Sequence, residues 1–149
     1  MAVQAEVPHE LFDVTARKVH QWAMVLLVVL AFILPPAHWL LFVAGLVMLG
    51  GRFFWPLDVA RQLTWRVLEP AHILPRVERA EDHETRRVAR VLGGLVWIAS
   101  GALVLAGLTG AGFVLAGLIA VMVVLDASVD FCALCFASAQ FEIRRSHPF

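Results

Sequence analysis

Two cysteines three residues apart, Cys132 and Cys135, and two acids just ahead of them, Asp126 and Asp130, are the side chains here whose type and spacing could do chemistry. A C-x-x-C pair can pass electrons as dithiol and disulfide, carry sulfur as a persulfide, or hold a soft metal. An acid inside an apolar segment is costly to bury and marks either proton or cation handling or a buried ion pair. All four fall at the end of the last long apolar stretch, so the scaffold comes next.

Of the 149 residues, 60% are hydrophobic and only 16% charged. That composition is far from a soluble average and points to a membrane protein. The apolar sequence divides into four blocks, Trp22 to Leu34, Trp39 to Gly51, Val91 to Leu108 and Ala111 to Leu125. Each is shorter than the roughly 20 residues that span a bilayer, so each helix must borrow flanking residues. The expected fold is an all-α integral membrane domain over 17–145, with short tails at 1–16 and 146–149. Four transmembrane helices, about 17–34, 38–55, 87–108 and 112–140, form two tandem hairpins in a four-helix bundle. Between them Leu57, Ala60, Leu63, Val67 and Leu68 recur at helical spacing. They predict an amphipathic helix at about 57–69 lying on the membrane surface, with Arg61 and Arg66 reaching headgroups.

The net charge of zero hides an asymmetry. All twelve basic residues lie before the first block, between the second and third, or after the fourth. The connections Pro35-Pro36-Ala37-His38 and Thr109-Gly110-Ala111-Gly112 hold none and are the expected outer turns. The positive-inside rule then puts both termini and the central loop in the cytoplasm. The first block ends in paired prolines without a small-x-small cleavage pattern, so it reads as a retained helix.

A weak internal repeat agrees with tandem hairpins, since Asp13-Val14-Thr15-Ala16-Arg17-Lys18-Val19 resembles Asp82-His83-Glu84-Thr85-Arg86-Arg87-Val88. Small residues mark packing faces: Gly94, Ser100, Gly101, Ala102, Ala106 and Gly107 on the third helix, Gly112, Ala116, Gly117 and Ala120 on the fourth. Ala102 with Ala106, and Ala116 with Ala120, have the spacing that lets helix backbones approach closely. The same surfaces could serve a homodimer or a larger membrane complex.

On one continuous fourth helix, with Asp126 at zero, Asp130 falls at about 40°, Ser128 at about 200°, Cys132 at about 240° and Cys135 at about 180°. Acids and thiols are thus expected on opposite faces, as two sites. The acids suit buried ion pairs with Arg17, Arg52, Arg86, Arg87 or Arg90, or else proton or cation handling. The thiols suit redox, persulfide or soft-metal chemistry, or plain packing, with Ser128 a polar neighbour. Structural zinc wants four ligands, which His20, His72, His83 or His147 would have to complete. At a helix's C-terminal end the dipole disfavours thiolate, so a sluggish pair is expected unless the helix breaks before Cys132.

From about Asp13 to Arg145 the chain resembles the bacterial membrane family catalogued as domain of unknown function 4395. Members have four helices, an Asp-x-x-x-Arg-like lead-in before helices one and three, and a fourth helix ending in Phe-Cys-x-x-Cys. Phe131-Cys132-Ala133-Leu134-Cys135 matches that motif. Many members carry Gly where this chain has Leu134, and Asn near the place of Asp126. The resemblance implies a bacterial inner-membrane location. Because members are often encoded beside thioredoxin-like proteins or sulfurtransferases, it also implies thiol or sulfur traffic with such a partner. Nothing in the sequence specifies a cofactor, whether quinone or haem. It contains no phosphate-binding glycine loop, Ser/His/Asp arrangement, HExxH or nucleic-acid footprint. The expected function is thiol, disulfide or persulfide exchange through Cys132 and Cys135; the alternatives are a noncatalytic accessory subunit and a small transporter of a soft metal or sulfur species.

Overall fold

The first helix begins where an acid can cap it. In the computed structural model, which describes residues 11–54, 56, 58–80, 83–133, 136–137, 140–141 and 144, the Ala16 N–H donates to Asp13 Oδ1 at 3.1 Å. That bond satisfies one of the donors every helix start leaves open. Helix α1, Val14–Ile33, follows. Leu34 and a single 3-10 turn at Pro35–Ala37 reverse the chain into α2, Leu40–Phe53. Asp58 caps the next helix in turn, accepting the Arg61 N–H at 3.3 Å. This α3, Val59–Leu63, runs on into a π-helical turn at Thr64–Leu68. Two long helices follow, α4, His83–Leu105, and α5, Thr109–Val129.

The described chain is helical with one short exception. Strand β1, Leu11–Asp13, pairs antiparallel with β2, Glu78–Ala80, in the register Leu11↔Ala80, Phe12↔Arg79 and Asp13↔Glu78. The Val14 N–H adds a bond to Val77 O at 2.8 Å, tying the central loop to the start of α1.

Among the described residues three helices are long and apolar enough to cross a membrane: α1, α4 from Thr85 onward, and α5. Helix α2 is equally apolar but, with 14 residues, is only about 21 Å long, against roughly 30 Å of hydrocarbon. Large side chains such as Leu26, Leu46, Leu105, Val114 and Val121 are exposed along these helices. Such an apolar surface is suited to lipid rather than water.

Helix α2 packs on α4, α4 on α5, α5 on α1 and α1 on α2. Their shared core holds Met24, Val28, Leu41, Met48, Trp97, Val104, Ala116 and Val123. Close approach depends on glycine at two crossings. A Cβ on Gly45 would sit 2.8 Å from Gly94 O, and one on Gly112 would sit 2.8 Å from Ser100 O. The expected Ala102 and Ala106 contact does not form; both are exposed, and Ser100, Gly101 and Val104 face inward instead.

Three further expectations are corrected. The second hairpin turns at Ala106–Leu108, where Gly107 adopts φ +89°, so Thr109 and Gly110 already belong to α5. Arg61 does not reach outward; it is only 6% exposed, while Val59, Leu63 and Val67 on the same segment are exposed. Most consequentially, the fourth long helix does not run to 140. It stops at Val129 because Asp130 takes the left-handed conformation, φ 54° and ψ 27°. Single non-glycine residues in that region are mostly Asn or Asp.

Candidate functional site

The starts of α1 and α4 and the ends of α2 and α5 meet at one end of the molecule, and nearly all its described ionic chemistry is there. The most buried part is centred on Asp58. Its Oδ1 lies 2.9 Å from His20 Nδ1, and its Oδ2 accepts Arg90 Nη2 at 2.9 Å. Arg90 Nη2 also lies 3.1 Å from His20 Nε2, and its Nε donates to Met48 O at 3.2 Å. A neutral His20 with its proton on Nδ1 satisfies both contacts, donating to the carboxylate and accepting from the guanidinium. Burial pushes the Asp58 carboxyl up, but the hydrogen bond from His20 and the adjacent Arg90 guanidinium outweigh it and hold it well below the usual carboxylate range.

Beside this cluster, the Arg61 guanidinium stacks over the Trp65 ring at 5.4 Å, and Trp65 Nε1 donates to Asp13 Oδ2 at 2.7 Å. Burial raises the Asp13 carboxyl, but the Trp65 and Ala16 hydrogen bonds prevail and leave it below its ordinary value. The cap of α1 is thereby locked to the π turn after α3.

The acids of α5 take partners from both hairpins. Arg86 Nη1 donates to Asp126 Oδ1 at 3.0 Å, and Gln21 Nε2 donates to Asp126 Oδ2. Asp130 accepts Arg17 Nη2 at 2.7 Å and Lys18 Nζ at 3.3 Å, with Arg79 Nη1 at 3.6 Å. Of the other arginines considered as counter-ions, Arg90 is taken up by Asp58, and Arg87 is exposed. The Arg52 side chain lies outside those described.

Arg17 and Arg86 occupy equivalent places in the internal repeat, and each meets an acid of α5. Asp58, at the end of the first hairpin, meets Arg90 of the second; Asp130, at the end of the second, meets Arg17 of the first. The hairpins are cross-bonded in both directions at this end.

Asp130 also closes α5, and the two duties can be separated. Asp130→Asn keeps a residue that tolerates the left-handed region, whereas Asp130→Val loses that tolerance as well as the charge. The Val variant is expected to be less stable than the Asn variant by about 1–2 kcal/mol. Thermal loss of helical circular dichroism in detergent checks it.

Past the break Phe131 and Cys132 are not helical, and Ala133 begins a new turn. The Phe136 N–H donates to Cys132 O at 3.0 Å, so Cys132 stands at the start of this turn and not on the tail of α5. The helical-wheel separation of thiols from acids therefore does not carry past Val129. Cys132 is half-buried and Ser128 exposed, while Cys135 lies outside the described residues, as do Asp82 and His147. Among the described residues no three His, Cys, Asp or Glu side chains converge as metal ligands.

One family profile matches residues 12–142, nearly the whole length. The chain belongs to the family described as Domain of unknown function (DUF4395). No curated protein and no solved structure matches it significantly. In this DUF4395 member, sequence reasoning missed the Asp58, His20 and Arg90 cluster. Its members are distant along the chain, and the available signals were indirect. Asp58 and Arg61 have the spacing of a helix cap. His20 and Arg90 each lie within two turns of the start of an apolar helix.

Proposed function

We propose that this DUF4395 protein is a four-span protein of the bacterial inner membrane that exchanges electrons or sulfur with a soluble partner through Cys132 and Cys135. In this reading α2 is the fourth span, thinning the bilayer locally or borrowing the turn at Pro35–Ala37. The ionic end, the central loop and both termini face the cytoplasm, because the basic residues cluster there. The segment from Val59 to Leu68 lies along that surface with Val59, Leu63 and Val67 toward lipid.

The observation that carries the reading is the break at Asp130. It takes Cys132 off the negative end of α5 and makes its carbonyl the first acceptor of the following turn. Cys132 thus stands apart from α5, at the head of a separate turn. Asp130, two residues before it, is held by Arg17, Lys18 and Arg79, which fixes the point where the chain leaves α5. In disulfide exchange one thiolate attacks a disulfide of the partner and forms a mixed disulfide. The second thiol resolves it, and the partner leaves as a dithiol, having gained two electrons and two protons.

Thiol trapping in membranes tests this. With an oxidised thioredoxin-like protein added, the wild-type pair is expected to shift reversibly between alkylated dithiol and protected disulfide. The single Cys→Ser variant that keeps the attacking cysteine should stop at the mixed disulfide, whereas the other single variant and the double variant should not react. A pair whose oxidation never changes with redox poise would instead favour the accessory-subunit reading, which the satisfied pairing of Asp58, Asp126 and Asp130 also suits.

A further inference from the structure

Along the outer side of α1 the central loop forms a groove of about 550 Å³, walled by Val19, Trp22, Leu74 and Val77 and rimmed by Lys18 and Arg79. Two bonds hold the loop there: Thr15 Oγ1 donates to Pro75 O at 2.7 Å, and the Val14 N–H to Val77 O at 2.8 Å. Strand alternation turns Arg79 and Val77 to the groove and Glu78 away, where it pairs with Arg76 at 2.8 Å. The rim is strongly basic. Lys18 and Arg79 both line the groove and both reach the one carboxylate of Asp130, so among the described residues the rim carries more positive than negative charge.

The groove continues into an apolar track. Trp22, Leu26, Val29 and Ile33 are all exposed and recur at helical spacing, four residues on from Lys18 and onward along one face of α1. From Lys18 to Ile33 that face runs about 22 Å, enough to cross one leaflet's roughly 15 Å of hydrocarbon. We infer that this is a binding site for one anionic phospholipid, its phosphate between Lys18 and Arg79 and an acyl chain laid along α1. Charge chooses the headgroup: a zwitterionic lipid brings its own cation to a rim where Lys18 and Arg79 already stand. The inference rests on the membrane placement proposed above and is independent of the thiol reaction.

The test uses the full chain in detergent, challenged with equal phosphatidylglycerol and phosphatidylcholine and read by native mass spectrometry. Phosphatidylglycerol is expected to be retained about 10- to 30-fold over phosphatidylcholine, from two basic contacts at headgroup level. Lys18→Gln with Arg79→Gln should bring the two to parity, with Arg17 still on Asp130 to hold the fold. A second reading does not need that variant. In vesicles, phosphatidylglycerol with brominated chains should quench tryptophan fluorescence beyond brominated phosphatidylcholine, and Trp22→Phe should remove the excess. Inorganic phosphate should displace neither lipid. Equal retention in the wild type, an excess quench that survives Trp22→Phe, or displacement by phosphate each overturns the site while leaving the membrane placement standing. A chain that inserts into neither vesicle overturns both.

Discussion

Replacing Asp58 by Asn is expected to destabilise the protein by about 3–5 kcal/mol, the range seen when one partner is removed from a buried ion pair. The shape is kept and the charge lost. Arg61 and His20 are 6% and 4% exposed, so neither can turn to water when the carboxylate goes, and Arg90 loses its only charged acceptor among the described contacts. The damage should exceed that of Arg90→Gln, because Arg90 is itself about one-fifth exposed. Since both variants break the same contacts, the double variant should cost less than the sum of the singles by more than about 1 kcal/mol. Denaturation in mixed micelles followed by helical circular dichroism gives all the values. An additive cycle would mean that the cluster is three neighbours and not one unit.

Acid should reproduce the same loss. The Asp58 carboxyl is held below its ordinary range in the folded protein, so its contribution is complete above the unfolded value of about 3.9 and disappears as pH falls through the lower folded one. Asp13 is depressed in the same direction. The stability gap between wild type and Asp58→Asn should therefore stay constant from about pH 8 to pH 5 and narrow only in strong acid. A gap that closed between pH 5 and 7 would mean that a histidine, and not the carboxylate, governs it.

How much of this could be read beforehand depended on whether the cause was local. The apolar blocks, the reversal at Pro35-Pro36 and the helical class follow from composition and period, which short windows contain. The end of α5 does not. Nothing between Leu125 and Phe136 is Gly or Pro, so a continuous helix was the natural expectation. The break comes from one Asp in the left-handed region, which Arg17 and Lys18 of α1 and Arg79 of β2 hold from two other elements. Arg61 fails for the same reason. An arginine in an amphipathic stretch ordinarily snorkels, yet this one turns inward where α3 packs on α1, its guanidinium over the Trp65 ring. Tertiary contacts overrode the local pattern at both positions, ion pairs at Asp130 and the packing of α3 on α1 at Arg61, and both lie in the candidate site.

Trp97→Ala is the second large effect, expected at about 3–5 kcal/mol. Trp97 is fully buried where α4 meets α5, and its Nε1 donates to Ala116 O at 3.2 Å. Two physical terms are mixed in that figure, and Trp97→Phe separates them. Within a membrane the polar term is small: interhelical hydrogen bonds there average about 0.6 kcal/mol and reach about 1.7 at most. Lipid is as apolar as the core, so what remains is packing, the contact an indole makes on every side and a methyl leaves as a void. The Phe variant should therefore lose only about 1–2 kcal/mol, the bond plus part of the volume. If instead Phe cost as much as Ala, the hydrogen bond would be fixing α5 against α4. Ser100, which donates to Gly112 O one turn further along the same crossing, would then have to carry a comparable load.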